Sequence, residues 1–196
     1  MPVVRSSFGL DLDHIRRTLC KTRWIYIGET ERCGLGIFAA RAFAEGDVIV
    51  RDASGDYFDG ALSYRQICAL GLDLPRDCFQ IDVDRFLVPS GSIDDLINHS
   101  CAPNAGIRLT SLGYELLALR DVVAGDEVTY DYSTYIDSPE RLSCNCGLAC
   151  CRREVGRFRD LEPRLRTYYL DRGVVGAFAA AAALNHARQP AWETVT

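Results

Sequence analysis

Four cysteines fall within eight residues, three of them, Cys144, Cys146 and Cys151, in the spacing C-x-C-x4-C, and no other feature restricts the folding of this chain as much. Thiolates suit zinc, which in a closed structural site takes four donors in a tetrahedron at about 2.3 Å. Ligands this close in sequence strain to surround one ion, so a fourth donor from elsewhere closes the site more easily. Cys101 is the candidate, and it would tie two distant stretches together; Cys150 stays open as an alternative third ligand. The plain alternative is a set of reduced surface thiols. Nine cysteines, an odd number, follow an N-terminus, MPVVRSSFGLDLDHIRR, without the apolar core of a secretory leader, so a reducing compartment is expected. The longest apolar run, VVGAFAAAAAL at 174–184, is far below the roughly 20 residues of a membrane span and reads as a soluble helix.

Periodicity gives a β-rich α+β reading. Residues 11–22 are expected to form a short amphipathic helix capped by Asp11 or Asp13. From Trp24 the pattern changes to short strand-like pieces, WIYI, GIFAARAF and DVIV, broken by CGLG and AEGD. ALSYRQICALGL (61–72) has helical spacing. FQIDVDRFLVP, YELLALRDV and DEVTYDY read as strands, and RDLEPRLRTYYLD and VVGAFAAAAALNHARQ as helices. The expected organisation is an N-terminal helical segment (1–23), a β-rich domain (24–135) with an insert around 55–90, a cysteine module (136–155) and a helical tail (156–196). The net charge of −5 disfavours a surface built to neutralise phosphates, so no direct nucleic-acid contact is expected. Of the 22 basic residues only Lys21 is a lysine, a bias that suggests a GC-rich, bacterial genome.

Three further stretches carry chemistry. LINHSCAPN (96–104) sets Asn98, His99, Ser100 and Cys101 side by side. CGLG supplies Gly34 and Gly36 around Leu35, and GDEVTYDYS places Tyr130 and Tyr132 at strand spacing, on one face. Taken singly each has a bland reading: a histidine satisfied in the core, Asn98 and Ser100 as turn or capping groups, glycines in a turn, half-buried tyrosines.

In the order GLGIFAARAFAEGDVIV, LINHSCAPN, ALRDVVAGDEVTYDY, CNCGLACCR, over residues 24–153, the chain resembles the SET-domain protein lysine methyltransferases that carry a cysteine-rich post-SET module. The resemblance implies a fold of several small sheets with the NHSC segment threaded beneath a neighbouring loop in a knot-like arrangement. It implies that Asn98 and His99 hold S-adenosylmethionine, with the Gly34, Leu35, Gly36 turn against its methionine part. By the same match Cys101, Cys144, Cys146 and Cys151 bind a structural Zn2+, Tyr132 is the catalytic tyrosine, and Tyr130 stands where a hydroxyl favours mono- or dimethylation. The implied partner is a protein or peptide lysine in a basic or histone-like tail, laid as a strand between the 55–90 insert and the post-SET module. Asp82, Asp84, Asp94 and Asp95 would suit such a tail, or are plain solvated surface.

Two departures stand out. Relatives carry E-Y-x-G after the GDVIV-like strand, where this chain has Arg51 and Asp52; either Asp52 lines the lysine channel or Tyr57 takes over that role. Arg152-Arg153 follows the last cysteine where relatives often have glycine. The alternative function is a catalytically inactive SET-fold interaction module. Expected localisation is the cytoplasm of a bacterium, or the nucleus in a eukaryote, without secretion; the oligomeric state is left open.

Overall fold

The computed structural model describes residues 23–184; the helix expected over 11–22 and the chain beyond 184 lie outside the described residues. Among the described residues, five small sheets carry the fold. Strands β1 (Ile25–Thr30) and β2 (Gly34–Ala39) form an antiparallel hairpin registered from Ile25↔Ala39 to Thr30↔Gly34. After β3 (Val48–Asp52) comes a short helix, α1 (Tyr64–Ala69), and its start is legible in sequence. Ser63 and Gln66 form a capping box, each side chain satisfying the other's free backbone N–H. FQIDVDRFLVP is a tight hairpin, β4 (Phe79–Asp82) and β5 (Arg85–Leu87), rather than one strand.

Two-residue strands β6 (Asn98–His99) and β9 (Thr129–Tyr130) pair in parallel, Asn98↔Thr129 and His99↔Tyr130. Parallel neighbours need a long connection. It is supplied by the hairpin β7 (Ala105–Leu109) and β8 (Tyr114–Ala118), which with β3 makes the three-stranded sheet β3-β8-β7. As its central strand, β8 is buried throughout. Its one carboxylate, Glu115, is matched across both ladders by Arg51 (2.7 Å) and Arg108 (3.0 Å), so the outer face is held by a cross-strand ion triad.

The cysteine loop is closed by β10 (Leu142–Ser143) and β11 (Glu154–Val155). Two helices follow, α2 (Pro163–Asp171), with proline at its first turn, and α3 (Ala177–Ala183). Within the stretch expected as a helical tail, Phe158, Leu161, Tyr169, Val174, Phe178 and Ala179 join Ile37, Leu96, Ile107 and Leu116 in the main core. Burying a side chain of that size contributes roughly 1.5–3 kcal/mol. Among the described residues no helix is long and apolar enough to cross a membrane.

Candidate active site and metal centre

A cavity of about 400 Å³ opens between the β1–β2 hairpin, β6 and the cysteine loop, walled among others by Arg32, Phe38, Asn98, His99, Glu127 and Asn145. Asn98 organises one side: its Nδ2 donates to the Leu35 carbonyl (3.0 Å) and to Glu127 Oε1 (2.8 Å). Those bonds leave no room on β2. A Cβ on Gly36 would stand 2.7 Å from Glu127 Oε1 and 2.8 Å from Asn98 Nδ2, so glycine is required there by close approach. Gly34 has φ 76°, which glycine alone adopts without strain. Gly34, Leu35 and Gly36 are not themselves on the wall; residues 29–33 and Phe38 are. Opposite them, Asn104 Nδ2 donates to the Glu127 carbonyl (2.8 Å) and Asn104 Oδ1 accepts from Thr129 N (3.0 Å). Arg32 reaches across the mouth and donates to the Cys146 carbonyl (3.1 Å).

The β6–β9 ladder joins this cavity to the tyrosines. Tyr130, on β9, is buried. Tyr132 lies not on the strand but at the start of a 3₁₀ turn, Tyr132–Tyr135, which corrects the expectation of one strand face. Even so, the two rings meet, with centroids 4.8 Å apart at 41°. The Tyr132 hydroxyl donates to the Ile97 carbonyl (2.8 Å), and its backbone N–H donates to His99 Nδ1 (3.2 Å). Burial pushes His99 down to about 4, against the pull of Asp131, so the ring is neutral near pH 7. Because Nδ1 accepts, the ring proton sits on Nε2, 3.4 Å from Cys101 Sγ.

That sulfur belongs to a cluster. The Sγ atoms of Cys101, Cys144, Cys146 and Cys151 all lie within 4.8 Å of one another, and Cys101 and Cys144 are 3.6 Å apart. Four sulfurs at about 2.3 Å from a tetrahedral zinc stand roughly 3.8 Å apart, so the donor set fits that ion. Cys150 is exposed and outside the group. The histidine N–H on Cys101 is the hydrogen bond that a metal-bound thiolate takes from its surroundings.

Beyond the tyrosines lies an acidic-aromatic patch. Arg51 faces Glu115, and Asp52 Oδ1 accepts from Ser54 N (2.8 Å) and Oγ (2.7 Å), so both residues of the departure serve local structure. Tyr57 turns inward instead: its ring is 5.0 Å from Tyr114 and its hydroxyl donates to Asp94 Oδ2 (2.9 Å). Burial raises the Tyr57 hydroxyl far above its ordinary value, and Asp94 adds to the effect. Asp94 also accepts from Ser92 Oγ. The four aspartates suggested for a basic tail each bind their own chain. Asp82 and Asp84 accept from Val83 N and Tyr64 N, and Asp95 Oδ2 takes the N–H groups of Ser90, Gly91 and Ser92.

Sequence reasoning left Asn104, Glu127 and Arg32 without roles. Asn104 stood in the quoted LINHSCAPN and Glu127 in GDEVTYDYS, but a lone amide or carboxylate in a polar run has no signal separating it from surface.

The family model of the SET domain matches residues 34–133, just over half of the chain, and the protein belongs to that family. Histone-lysine N-methyltransferase TRX1 of Oryza sativa subsp. japonica is 34% identical over 146 residues, 68% of this chain and 14% of the relative. Human histone-lysine N-methyltransferase 2B is 30% identical over 71% of this chain and 5% of its own length. The chain thus spans a small part of the curated relatives it matches. Among solved structures, the methyltransferase domain of human SETMAR aligns with a TM-score of 0.52 at 20% identity, over 68% of this chain and 58% of that one. KRYPTONITE, crystallised with mCHH DNA, an H3(1-15) peptide and SAH, aligns with a TM-score of 0.50 at 21% identity, over 68% and 30%. These two likenesses concern the fold.

Proposed function

We propose that the protein is an S-adenosylmethionine-dependent protein lysine N-methyltransferase acting on a basic, histone-like tail. The observation that carries the reading is the β6–β9 ladder: Asn98, His99 and Thr129 face the cavity, and the same ladder holds Tyr130 beside Tyr132. Support comes from the rice and human relatives, named histone-lysine N-methyltransferases, and from the KRYPTONITE chain, which held an H3 peptide and SAH.

When bound, S-adenosylmethionine supplies a methyl group on a sulfonium, open to in-line attack by an amine. On this reading Asn98 and His99 hold it together with hairpin residues 29–33, and Gly34, Leu35 and Gly36 act from behind the wall, the Leu35 carbonyl and Glu127 orienting the amide of Asn98. The lysine nitrogen's lone pair forms the new N–C bond as the C–S pair returns to sulfur. Its surplus proton must leave first, to solvent. A free lysine with pKa about 10.4 is charged at pH 7; lowering it by about three units in a dry aromatic setting corresponds to roughly 4 kcal/mol. Tyr130 and Tyr132 provide that setting and align the amine, so catalysis is chiefly positioning. Tyr132 is the proposed catalytic residue. Tyr130's hydroxyl limits rotation of a methylated amine and directs mono- or dimethylation. Cys101, Cys144, Cys146 and Cys151 hold a structural Zn2+ that fastens the cysteine module over the cavity. With a histone substrate in a eukaryotic host, the protein works in the nucleus.

The test is transfer of labelled methyl from S-adenosylmethionine to core histones and to a lysate fraction. Label on lysine that is lost in Tyr132→Phe supports the reading. Labelled transfer that persists in that variant, or no transfer to any substrate, contradicts it. Mass spectrometry of the product separates the finer claim: Tyr130→Phe should shift product toward trimethyl-lysine, and abundant trimethyl product from the unaltered protein would sink it.

A further inference from the structure

We infer that the segment after the cysteine module is a positioning element for the tyrosine pair: Tyr169 on α2, through the carboxylate of Asp131 and the guanidinium of Arg152, fixes the turn that carries Tyr132. The inference rests on the proposed role of Tyr130 and Tyr132, and extends it to a segment beyond residue 133, where the SET match ends.

Asp131 sits in sequence between the two tyrosines, and its side chain is fully buried. A buried carboxylate is tolerated only when neutralised and fully hydrogen-bonded. Arg152 meets it as a fork, Nη1 to Oδ2 at 2.8 Å and Nη2 to Oδ1 at 2.7 Å. Tyr169 then donates its hydroxyl to Oδ2 at 3.0 Å, and the Ser133 N–H caps the 3₁₀ turn on Oδ1 at 3.1 Å. Two distant parts of the chain, at Arg152 and Tyr169, therefore converge with the local turn on one carboxyl group. The fork also ties the site to the cysteine cluster, because the backbone N–H of Arg152 donates to Cys101 Sγ at 3.4 Å.

A second set of contacts points the same way. The Gly176 N–H donates to the Thr134 carbonyl at 3.0 Å, and the Phe178 ring meets Tyr135 edge-on at 6.4 Å. Between the helices, Val174 lies so close to β7 that a Cβ on Gly106 would fall 2.8 Å from it. The α2–α3 corner is thus seated on β7 and on the 3₁₀ turn together. With its carboxylate held on these partners, the backbone of Asp131 is anchored, and it shares its two peptide units with Tyr130 and Tyr132; loss of the anchor frees both. It would also disturb the bond from Tyr132 N to His99 Nδ1. Arg152, a departure in the sequence, thereby acquires a function in this chain.

The test uses the full chain with Tyr169→Phe, which keeps the ring and removes one hydroxyl. With an active preparation, kcat should fall about five- to tenfold while KM for peptide and the Kd for cofactor change less than about twofold, since misplacement of a reacting group acts on the chemical step. Hydrogen–deuterium exchange should rise at least about fivefold over residues 129–136 and stay unchanged over 105–118, the signature of local opening. Zinc content should not change. Arg152→Lys, which keeps the charge and loses the fork, should behave alike. Unchanged kcat in an active preparation, or exchange that rises equally over 105–118, overturns the inference. If the unaltered protein methylates nothing, the proposed function fails by itself, and exchange alone decides: local loosening at 129–136 upholds the positioning role and unchanged exchange overturns it.

Discussion

Replacing Gly36 with alanine adds one methyl group at the point where β2, Asn98 and Glu127 meet. The new Cβ would stand 2.7 Å from Glu127 Oε1, 2.8 Å from Asn98 Nδ2 and 2.8 Å from Thr30 Cγ2. Normal separation for carbon is about 3.5 Å, so each neighbour must retreat by roughly 0.7 Å. Thr30 is β-branched and cannot swing away cheaply. Asn98 is buried and tied to Leu35, so the yielding contact is its 2.8 Å bond to Glu127. Overpacking costs about 1–3 kcal/mol, and loss of a bond to a charged acceptor about 1.5–3. The restricted unfolded chain returns only about 0.4–1. The steric and hydrogen-bond terms win, for a net loss of about 2–4 kcal/mol. For a chain of this length that is a fall in Tm of roughly 4–16 °C. Urea unfolding of the two proteins, with calorimetric titration of S-adenosylmethionine, measures both effects, and cofactor affinity should fall along with stability. A loss below about 0.5 kcal/mol with affinity intact would refute the packing argument and the assignment of this corner to the cofactor.

Cys101→Ser should abolish stoichiometric zinc and loosen the cysteine module, because such sites couple metal binding to folding; Cys150→Ser should leave one zinc per chain, and elemental analysis of both distinguishes the two cysteines. Burial, with Asp94 beside it, raises Asp95 to about 7. An acid whose folded pKa is raised binds more protons folded than unfolded, so stability is highest below about pH 4 and falls as pH rises to about 7. Asp95→Asn, whose oxygen can still accept the loop N–H groups, should therefore be more stable than the unaltered protein at pH 8 by about 2 kcal/mol after screening is allowed for, and equal to it near pH 4; a pH-independent difference would contradict this. Tyr57→Phe removes one of two hydroxyl donors to Asp94 and should cost about 1–2 kcal/mol, read by urea unfolding at pH 7, and no measurable cost would place Asp94 outside the interior.

Motif order made the family legible, and strand-like pieces between Gly-rich turns made the small sheets legible. What escaped sequence reasoning has physical causes. Tyr132 breaks the two-residue strand period because Asp131 caps a 3₁₀ turn there, a local hydrogen bond that competes with the ladder. The role of the tail was not legible because α2 is weakly patterned. Its contribution comes from single residues, Tyr169 and Val174, whose partners lie far away in sequence. Asp131, Arg152 and Glu127 are ordinary charges on paper, and only the partners the fold brings to them make them structural. Cys151 and Cys150 are indistinguishable by spacing; only the direction of the loop turns one sulfur inward.

Whether Tyr132 drives methylation of lysine is decided by single-turnover transfer from labelled S-adenosylmethionine to core histones, comparing the unaltered protein with Tyr132→Phe at matched cofactor occupancy. The account predicts label on lysine from the unaltered protein and at least about a hundredfold slower transfer in the variant, with cofactor binding preserved. Equal rates in the two proteins, or cofactor binding with no transfer to any lysine, would contradict it.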